Sequence, residues 1–213
     1  MITHEYNLSY FEKDLGLPEG YLNFNGVIID NETGNDLKSL DWQYDKANVT
    51  VVGFLFDDKL EICMKSKDDD DEFLEAVKLR LDSFKKTREM FAYNIKMERG
   101  NFEGLFGVTY PFKEIKPFDT KRPKEWFYKR LLKHKVIELK KEIDDPFAGN
   151  SVQCVNVWKE YIRSGVHNIL YDVIKHNIAC LIKERLIHLN REHFENRKLY
   201  PLTSDGWFDE GEK

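Results

Sequence analysis

Val27-Ile28-Ile29-Asp30-Asn31-Glu32-Thr33-Gly34 is an apolar run that ends on an acid, meets a second acid two residues later and stops at Thr-Gly. It closes a longer extended stretch over residues 21–30. On an extended strand, residues two apart share a face, so Asp30 and Glu32 present their carboxylates together. Neighbouring carboxylates repel, and a cation is the usual means of keeping both ionised. Asp-x-Glu is also a common tripeptide, and the same residues read equally as a strand running out into a polar turn.

Outward from this stretch the pattern alternates between strand and helix. Residues 47–56 are rich in valine and phenylalanine, and Asp57-Asp58 makes a turn into residues 59–65, where Leu60, Ile62 and Met64 alternate. That predicts three strands in antiparallel order. Five consecutive acids, Asp68 to Glu72, precede Phe73, Leu74, Val77, Leu81 and Phe84 at helical spacing. The acids then sit at the start of a helix over 69–86, where the helix dipole favours them. A short strand over 89–93 and a helix over 98–106 follow, the latter weakened by Gly100 and Gly104. Residues 107–123 contain Pro111, Pro117 and Pro123 and read as irregular. Helices are expected over 124–141, over 151–163 with Ser151 as N-cap, and over 168–193 with Ile169, Val173 and Leu181 on one apolar face. The fold class is therefore α/β, with a mixed central sheet of about five strands flanked by helices and a helical C-terminal half. The domain is expected over 21–195, with residues 1–20 as an N-terminal extension and 196–213 as a polar tail.

The 213 residues suit one domain with a sizeable core. A net charge of -5 argues against a protein that coats nucleic acid through bulk charge. It leaves room for an enzyme that holds a short stretch in a cleft, because bound metal ions supply local positive charge. No apolar run approaches the roughly 20 residues of a membrane span. The first residues lack the basic region and apolar core of a signal peptide, so a cytoplasmic protein is expected. Cys63, Cys154 and Cys180 are odd in number and far apart, with no CxxC pair. A disulfide framework or structural zinc site is not expected from that spacing, and the thiols read as small buried side chains.

Two further stretches carry acids at element ends. In Phe91-Ala92-Tyr93-Asn94-Ile95-Lys96-Met97-Glu98 an apolar strand ends at Asn94, and an acid follows four residues later. In His167-Asn168-Ile169-Leu170-Tyr171-Asp172 a histidine precedes an acid by five residues. On one continuous helix those two would point about 140° apart. Their pairing requires His167 in a loop reached through Gly165, with Asp172 in the first helical turn.

Taken together, Asp30 and Glu32, then Asn94 and Glu98, then His167 and Asp172 resemble the motifs of the DEDD superfamily of 3'-5' exonucleases in their histidine-bearing branch, which have an RNase H-like fold. The order strand, strand, strand, helix, strand, then helices agrees with that resemblance, which spans residues 21 to about 190. Gly149-Asn150-Ser151, Trp158, Tyr161, Gly165 and Leu170-Tyr171-Asp172-Val173 are similar to the YprB-like group of predicted exonucleases. The sequence departs from the pattern at Glu98, where aspartate is commoner, at Met97, where phenylalanine is usual, and in having a single threonine, Thr33, after Glu32. A tyrosine register counted from Tyr171 lands on Lys175, which cannot ligate a metal while protonated, so the histidine register onto Asp172 is preferred.

The resemblance implies two divalent cations, Mg²⁺ or Mn²⁺, cleaving phosphodiester bonds in a nucleic acid held at a single-stranded 3' end. It implies that Asp30 bridges the metals, that Glu32 and Asp172 complete one shell and Glu98 serves the other, and that His167 is the general base. Thr33, Asn94, Lys121 and Arg122 are expected to touch substrate. Two other readings stay open: a catalytically impaired nucleic-acid or protein interaction module, and a metallohydrolase of small phosphate esters.

Overall fold

The 27–34 stretch lies in a ten-residue strand, β2 (Phe24–Thr33), inside a six-stranded mixed sheet. The structure is a computed structural model and describes residues 1–41, 43–68, 70–117, 122–148, 150 and 152–195. Before β2 come a strand, β1 (Ile2–Asn7), and a helix, α1 (Leu8–Leu15). After it come β3 (Val49–Asp57), β4 (Lys59–Met64), α2 (Asp71–Thr87), β5 (Met90–Ala92) and α3 (Ile95–Phe106). A short strand β6 (Phe112–Glu114) leads into α4 (Lys124–Lys133), α5 (Val152–Ser164), α6 (Tyr171–Leu189) and α7 (Arg191–Glu195).

The strand order is β1-β4-β3-β2-β5-β6, with β2, β3 and β4 antiparallel in sequence and β5 and β6 running parallel to β2 on its other side. The three expected antiparallel strands are therefore present, joined at Asp57-Asp58, where Asp57 takes the left-handed conformation (φ 47°) that aspartate tolerates better than most residues.

The sheet has six strands rather than about five. Residues 1–20 do not behave as an extension, because β1 pairs with β4 from Ile2↔Met64 to Asn7↔Lys59. Sequence pattern hides β1 because an edge strand shows no apolar run, and its residues alternate between half-buried and exposed. The span 107–123, expected to be irregular, holds β6, whose three residues pair with Met90, Phe91 and Ala92. Helix α4 stops at Lys133, well short of 141, and Lys135 follows with a left-handed φ of 53°. The Ser151 cap and the 196–213 tail lie outside the described residues.

Helices cover both faces, so β2 is buried on both sides from Gly26 through Glu32. Val27 and Ile29 face a core shared with Val52, Phe54 and the Phe73, Val77 and Leu81 stripe of α2. Ile28 faces the opposite core with Val51, Leu55, Ile62 and the α6 residues Leu181 and Leu186. Asp30 and Glu32 continue the Ile28 row, which places them under α6. No helix among the described residues is long and apolar enough to cross a membrane.

Two glycines set the approach of the helices. A Cβ on Gly53, the β3 partner of Asp30, would stand 2.1 Å from Asn177 Oδ1 and 2.6 Å from Leu181 Cδ1 of α6. A Cβ on Gly34 would meet the Trp158 ring of α5 at 2.4 Å. Trp158 Nε1 in turn donates to Asp68 Oδ1 (3.1 Å), and Tyr161 OH donates to the Ser66 carbonyl (2.5 Å), which fixes α5 against the loop before α2.

The acid run 68–72 does start a helix, and its cap is Asp70. The Asp70 carboxylate accepts from Phe73 N (3.0 Å), Ser66 N (2.7 Å) and Ser66 Oγ (2.8 Å). Burial alone would raise its pKa, but those donors outweigh burial and hold the carboxyl well below the usual range. A carboxyl depressed in the folded state stabilises above its unfolded value and loses that contribution as pH falls. Asp70→Ala is expected to cost about 1–2 kcal/mol at neutral pH in denaturant unfolding. The gap from the parent should narrow below the ordinary aspartate value of 3.8; a gap independent of pH would show that the ionised cap is not its source.

Candidate functional site

Asp30 and Glu32 end β2 beside the carboxyl end of β5, which runs parallel to β2, and α3 starts from that same end. Crevices outside the carboxyl ends of parallel strands are where open α/β sheets bind ligands. Here the crevice is a cleft of about 440 Å³ whose lining includes Asp30, Glu32, Glu98, Lys124, His176 and Cys180.

Asp30 is fixed from two sides. Asn177 Nδ2 on α6 donates to its Oδ2 at 2.8 Å, in the space that Gly53 leaves open. Lys124 Nζ, at the start of α4, lies 3.2 Å from its Oδ1 and 2.5 Å from Glu184 Oε1 on α6. Glu32 places Oε1 3.5 Å from His176 Nε2. The other ring nitrogen of His176, Nδ1, bonds Asp145 Oδ1 at 2.6 Å, and Asp145 Oδ2 accepts from Lys183 Nζ at 2.8 Å. On the opposite face of β2, Asn31 accepts from Asn101 of α3 at 2.8 Å, tying the helix that carries Glu98 to the strand that carries Asp30.

Carboxylates and cationic groups crowd together in and under this cleft, and their environments respond. Burial, then the Asp30 charge, pushes Glu32 up to about 7. Burial, with Asp30 and Glu184 adding to it, raises Glu98 well above the carboxylate range. Glu184 is pushed up to about 8 by burial even though Lys124 pulls it down. Burial disfavours the Lys124 charge, but Asp30 and Glu184 outweigh that and keep the ammonium protonated. His176 follows the same logic: burial lowers it, while Asp145, Cys180 and Glu32 raise it to about 11. Glu98 Oε2 and Glu184 Oε2 are buried with no hydrogen-bond partner among the described residues. A buried carboxyl oxygen with no donor is one to which a bound cation could supply a partner. Asp30, Glu32 and Glu98 offer hard oxygen donors of the kind that suit Mg²⁺ or Mn²⁺, although among the described residues Glu98 belongs to none of the donor groups that lie within 4.8 Å of one another.

Of the residues singled out from sequence, Asp30, Glu32, Asn94, Glu98 and Arg122 line the cleft. Thr33 is beside it but turns its hydroxyl to the Asn35 carbonyl (2.9 Å). Lys121 lies outside the described residues. His167 and Asp172 are not brought to the cluster. The local geometry is as expected, with Gly165 left-handed (φ 69°), His167 in a 3-10 turn and Asp172 in the first turn of α6. Both side chains are nevertheless exposed, because α6 becomes buried only from Val173 onward. Asp172 precedes Cys180 by two turns, about 12 Å along the helix axis.

What α6 presents to the cleft instead is His176, Asn177, Cys180, Lys183 and Glu184, all buried. Their spacing of i, i+1, i+4, i+7 and i+8 puts them on one side of the helix. The signal was in the sequence: a polar face on a helix whose other sides are also apolar and buried. Asp145 had no comparable signal, since it lies in an irregular segment placed only by tertiary contacts.

Lys124 is the cation that sits between Asp30 and Glu184. Lys124→Met would leave Asp30 and Glu184 facing one another across a buried gap, and breaking such an arrangement costs about 3–5 kcal/mol. The expected loss is of that size in denaturant unfolding at neutral pH, and Glu184→Gln in the same chain should recover part of it. A loss under about 1 kcal/mol, the range of exposed ion pairs, would show that the ammonium is not holding these carboxylates.

Comparison with models of known families, with curated proteins and with solved structures returns no match for this chain.

Proposed function

We propose that this chain is a metal-dependent phosphodiesterase acting on nucleic acid, a 3'-5' exonuclease built on an RNase H-like fold. The observation that carries the reading is the convergence of Asp30, Glu32 and Glu98, from two separate elements, on one buried cleft at the carboxyl ends of β2 and β5. The sheet supports it too. Three antiparallel strands in sequence order, then strands parallel to the first on its other side, agree with the topology the resemblance implies.

Asp30, Glu32 and Glu98 would hold a divalent cation, Mg²⁺ or Mn²⁺. That cation supplies Lewis acidity and lowers the pKa of a bound water. The chain's own residues do the rest. Asn177 orients Asp30. Lys124 brings positive charge to the cleft wall, where a phosphate can use it. Arg122 lines the cleft, with its guanidinium over the Trp126 ring at 5.3 Å, a pairing suited to a nucleotide base. A second cation, expected to depend on Asp172, has no carboxylate from that residue, and His167 is too exposed to serve as base. His176 does not replace it as a base at neutral pH, because it stays protonated up to about 11.

A catalytically impaired binding module is the second reading. It is favoured by the Lys124 ammonium already seated on Asp30 and by Cys180, a thiol, beside Asp30 and Glu32 where another carboxylate would complete a hard-oxygen set.

The test is manganese-dependent release of nucleotides from a 3'-labelled single-stranded oligonucleotide. Release is expected from the parent and absent in Asp30→Asn, with the variant still folded. Full activity in Asp30→Asn would contradict the site, and no release by the parent, with manganese bound, would favour the impaired module. Glu32 is raised, so protons compete with the cation below about 7. Manganese affinity should rise with pH through that region, by up to about tenfold per unit for each raised ligand that must lose its proton. Affinity that is flat across this range would show that Glu32 is not a ligand.

A further inference from the structure

Cys154 and Cys180 are 26 positions apart in sequence, yet the fold sets both against the same pair of side chains. Cys180 Sγ lies 3.7 Å from His176 Nε2. The same nitrogen is 3.5 Å from Glu32 Oε1. Cys154, on α5, contributes a thiol that together with Glu32 and His176 forms a set of donor atoms all within 4.8 Å of one another. Its thiol lies beside the Glu32 carboxylate.

These separations have a familiar scale. Zinc bonds of about 2.0–2.1 Å to nitrogen or oxygen and about 2.3 Å to sulfur give ligand-to-ligand edges of about 3.3–3.8 Å in a tetrahedron. The two measured edges at His176 Nε2 fall within that range; Cys154 joins Glu32 and His176 within 4.8 Å while Cys180 joins His176 in a separate group, so a side chain must move to bring all four donors onto one ion. All four residues are buried. Glu32, His176 and Cys180 line the cleft, so an ion can enter from it.

The second observation lies behind the histidine. Nδ1 of His176 is bonded to Asp145 at 2.6 Å, and Asp145 is itself anchored by Lys183. A carboxylate that fixes one nitrogen of a histidine, so that the other faces a group of ligands, is the outer-shell arrangement found around metal-bound histidines. In the ion-free chain the thiols are protonated, since burial raises both Cys154 and Cys180, and His176 holds its proton as well, so uptake of an ion releases these protons to solvent.

From this geometry we infer that Glu32, Cys154, His176 and Cys180 form a tetrahedral site for a borderline transition-metal ion of the zinc class, with Asp145 as its outer-shell partner. Imidazole and thiolate donors select zinc or cobalt over magnesium. The site shares Glu32 with the proposed phosphodiesterase centre, but it stands whether or not the chain cleaves nucleic acid.

Cobalt titration of the full chain tests this directly. One equivalent of Co²⁺ should bind with thiolate-to-cobalt charge-transfer absorption in the near ultraviolet and the intense visible bands of a tetrahedral ion, and Zn²⁺ should bleach both. Cys154→Ser and Cys180→Ser should each diminish the charge-transfer band. Asp145→Asn should keep the band and weaken zinc binding about 10–100-fold. Asp30→Asn should abolish nucleotide release and leave the cobalt spectrum intact, which separates this site from the phosphodiesterase reading. Cobalt bound by the parent without a charge-transfer band, or no cobalt or zinc uptake at all, would overturn the site without recourse to any variant.

Discussion

Two carboxylates fixed on one face of a buried strand cannot both stay ionised without positive charge nearby, and most of what surrounds β2 bears on that constraint. Asp30 and Glu32 share a face because the strand alternates, and that face lies under α6. Glu98 and Glu184 add to the same concentration of charge from α3 and α6. The chain answers with Lys124 between Asp30 and Glu184, and with His176 between Glu32 and Asp145. The balance remains incomplete: Glu32, Glu98 and Glu184 are all pushed toward their protonated forms. On the proposed reading, a cation bound there would allow the remaining carboxyls to ionise.

Backbone geometry makes this concentration of charge possible. Gly53 removes a side chain where α6 crosses the sheet, and Asn177 fills the space and donates to Asp30. Trp158 and Tyr161 hold α5 against the end of β2 and the loop before α2, which brings Cys154 to Glu32. The Asn31–Asn101 bond does the same for α3 on the other face. Asp30 is thus positioned in part by a neutral contact, as is the helix that carries Glu98.

The sequence was most legible where local pattern and tertiary role coincide. The Val-Ile-Ile run, the alternation of Leu60, Ile62 and Met64, and the Phe73–Phe84 stripe have the period of their element, and each folds as read. Asp30, Glu32 and Glu98 were legible because acids at strand and helix ends interrupt apolar runs. Residues 2–7 were missed because an edge strand is only half-buried, and 112–114 because three residues carry no period. The His167–Asp172 pair has the right local geometry but is exposed, since nothing in six residues tells which turn of a long helix reaches the cleft. Cys154 and Cys180 gave no metal signal because their proximity depends on how α5 and α6 pack. Lys124 shares its helix with other basic residues, and only its lower exposure distinguishes it from Lys129.

The central claim is that the cleft at the end of β2 is a cation site held by Asp30, Glu32 and Glu98. Anomalous diffraction from crystals soaked in manganese tests it most directly. The account expects a manganese peak about 2.0–2.6 Å from oxygens of Asp30 and Glu98, the range of hard-cation bonds to oxygen, and none at Asp172. A cleft without manganese in which Lys124 still rests on Asp30, or a peak beside His167 and Asp172 instead, would contradict it.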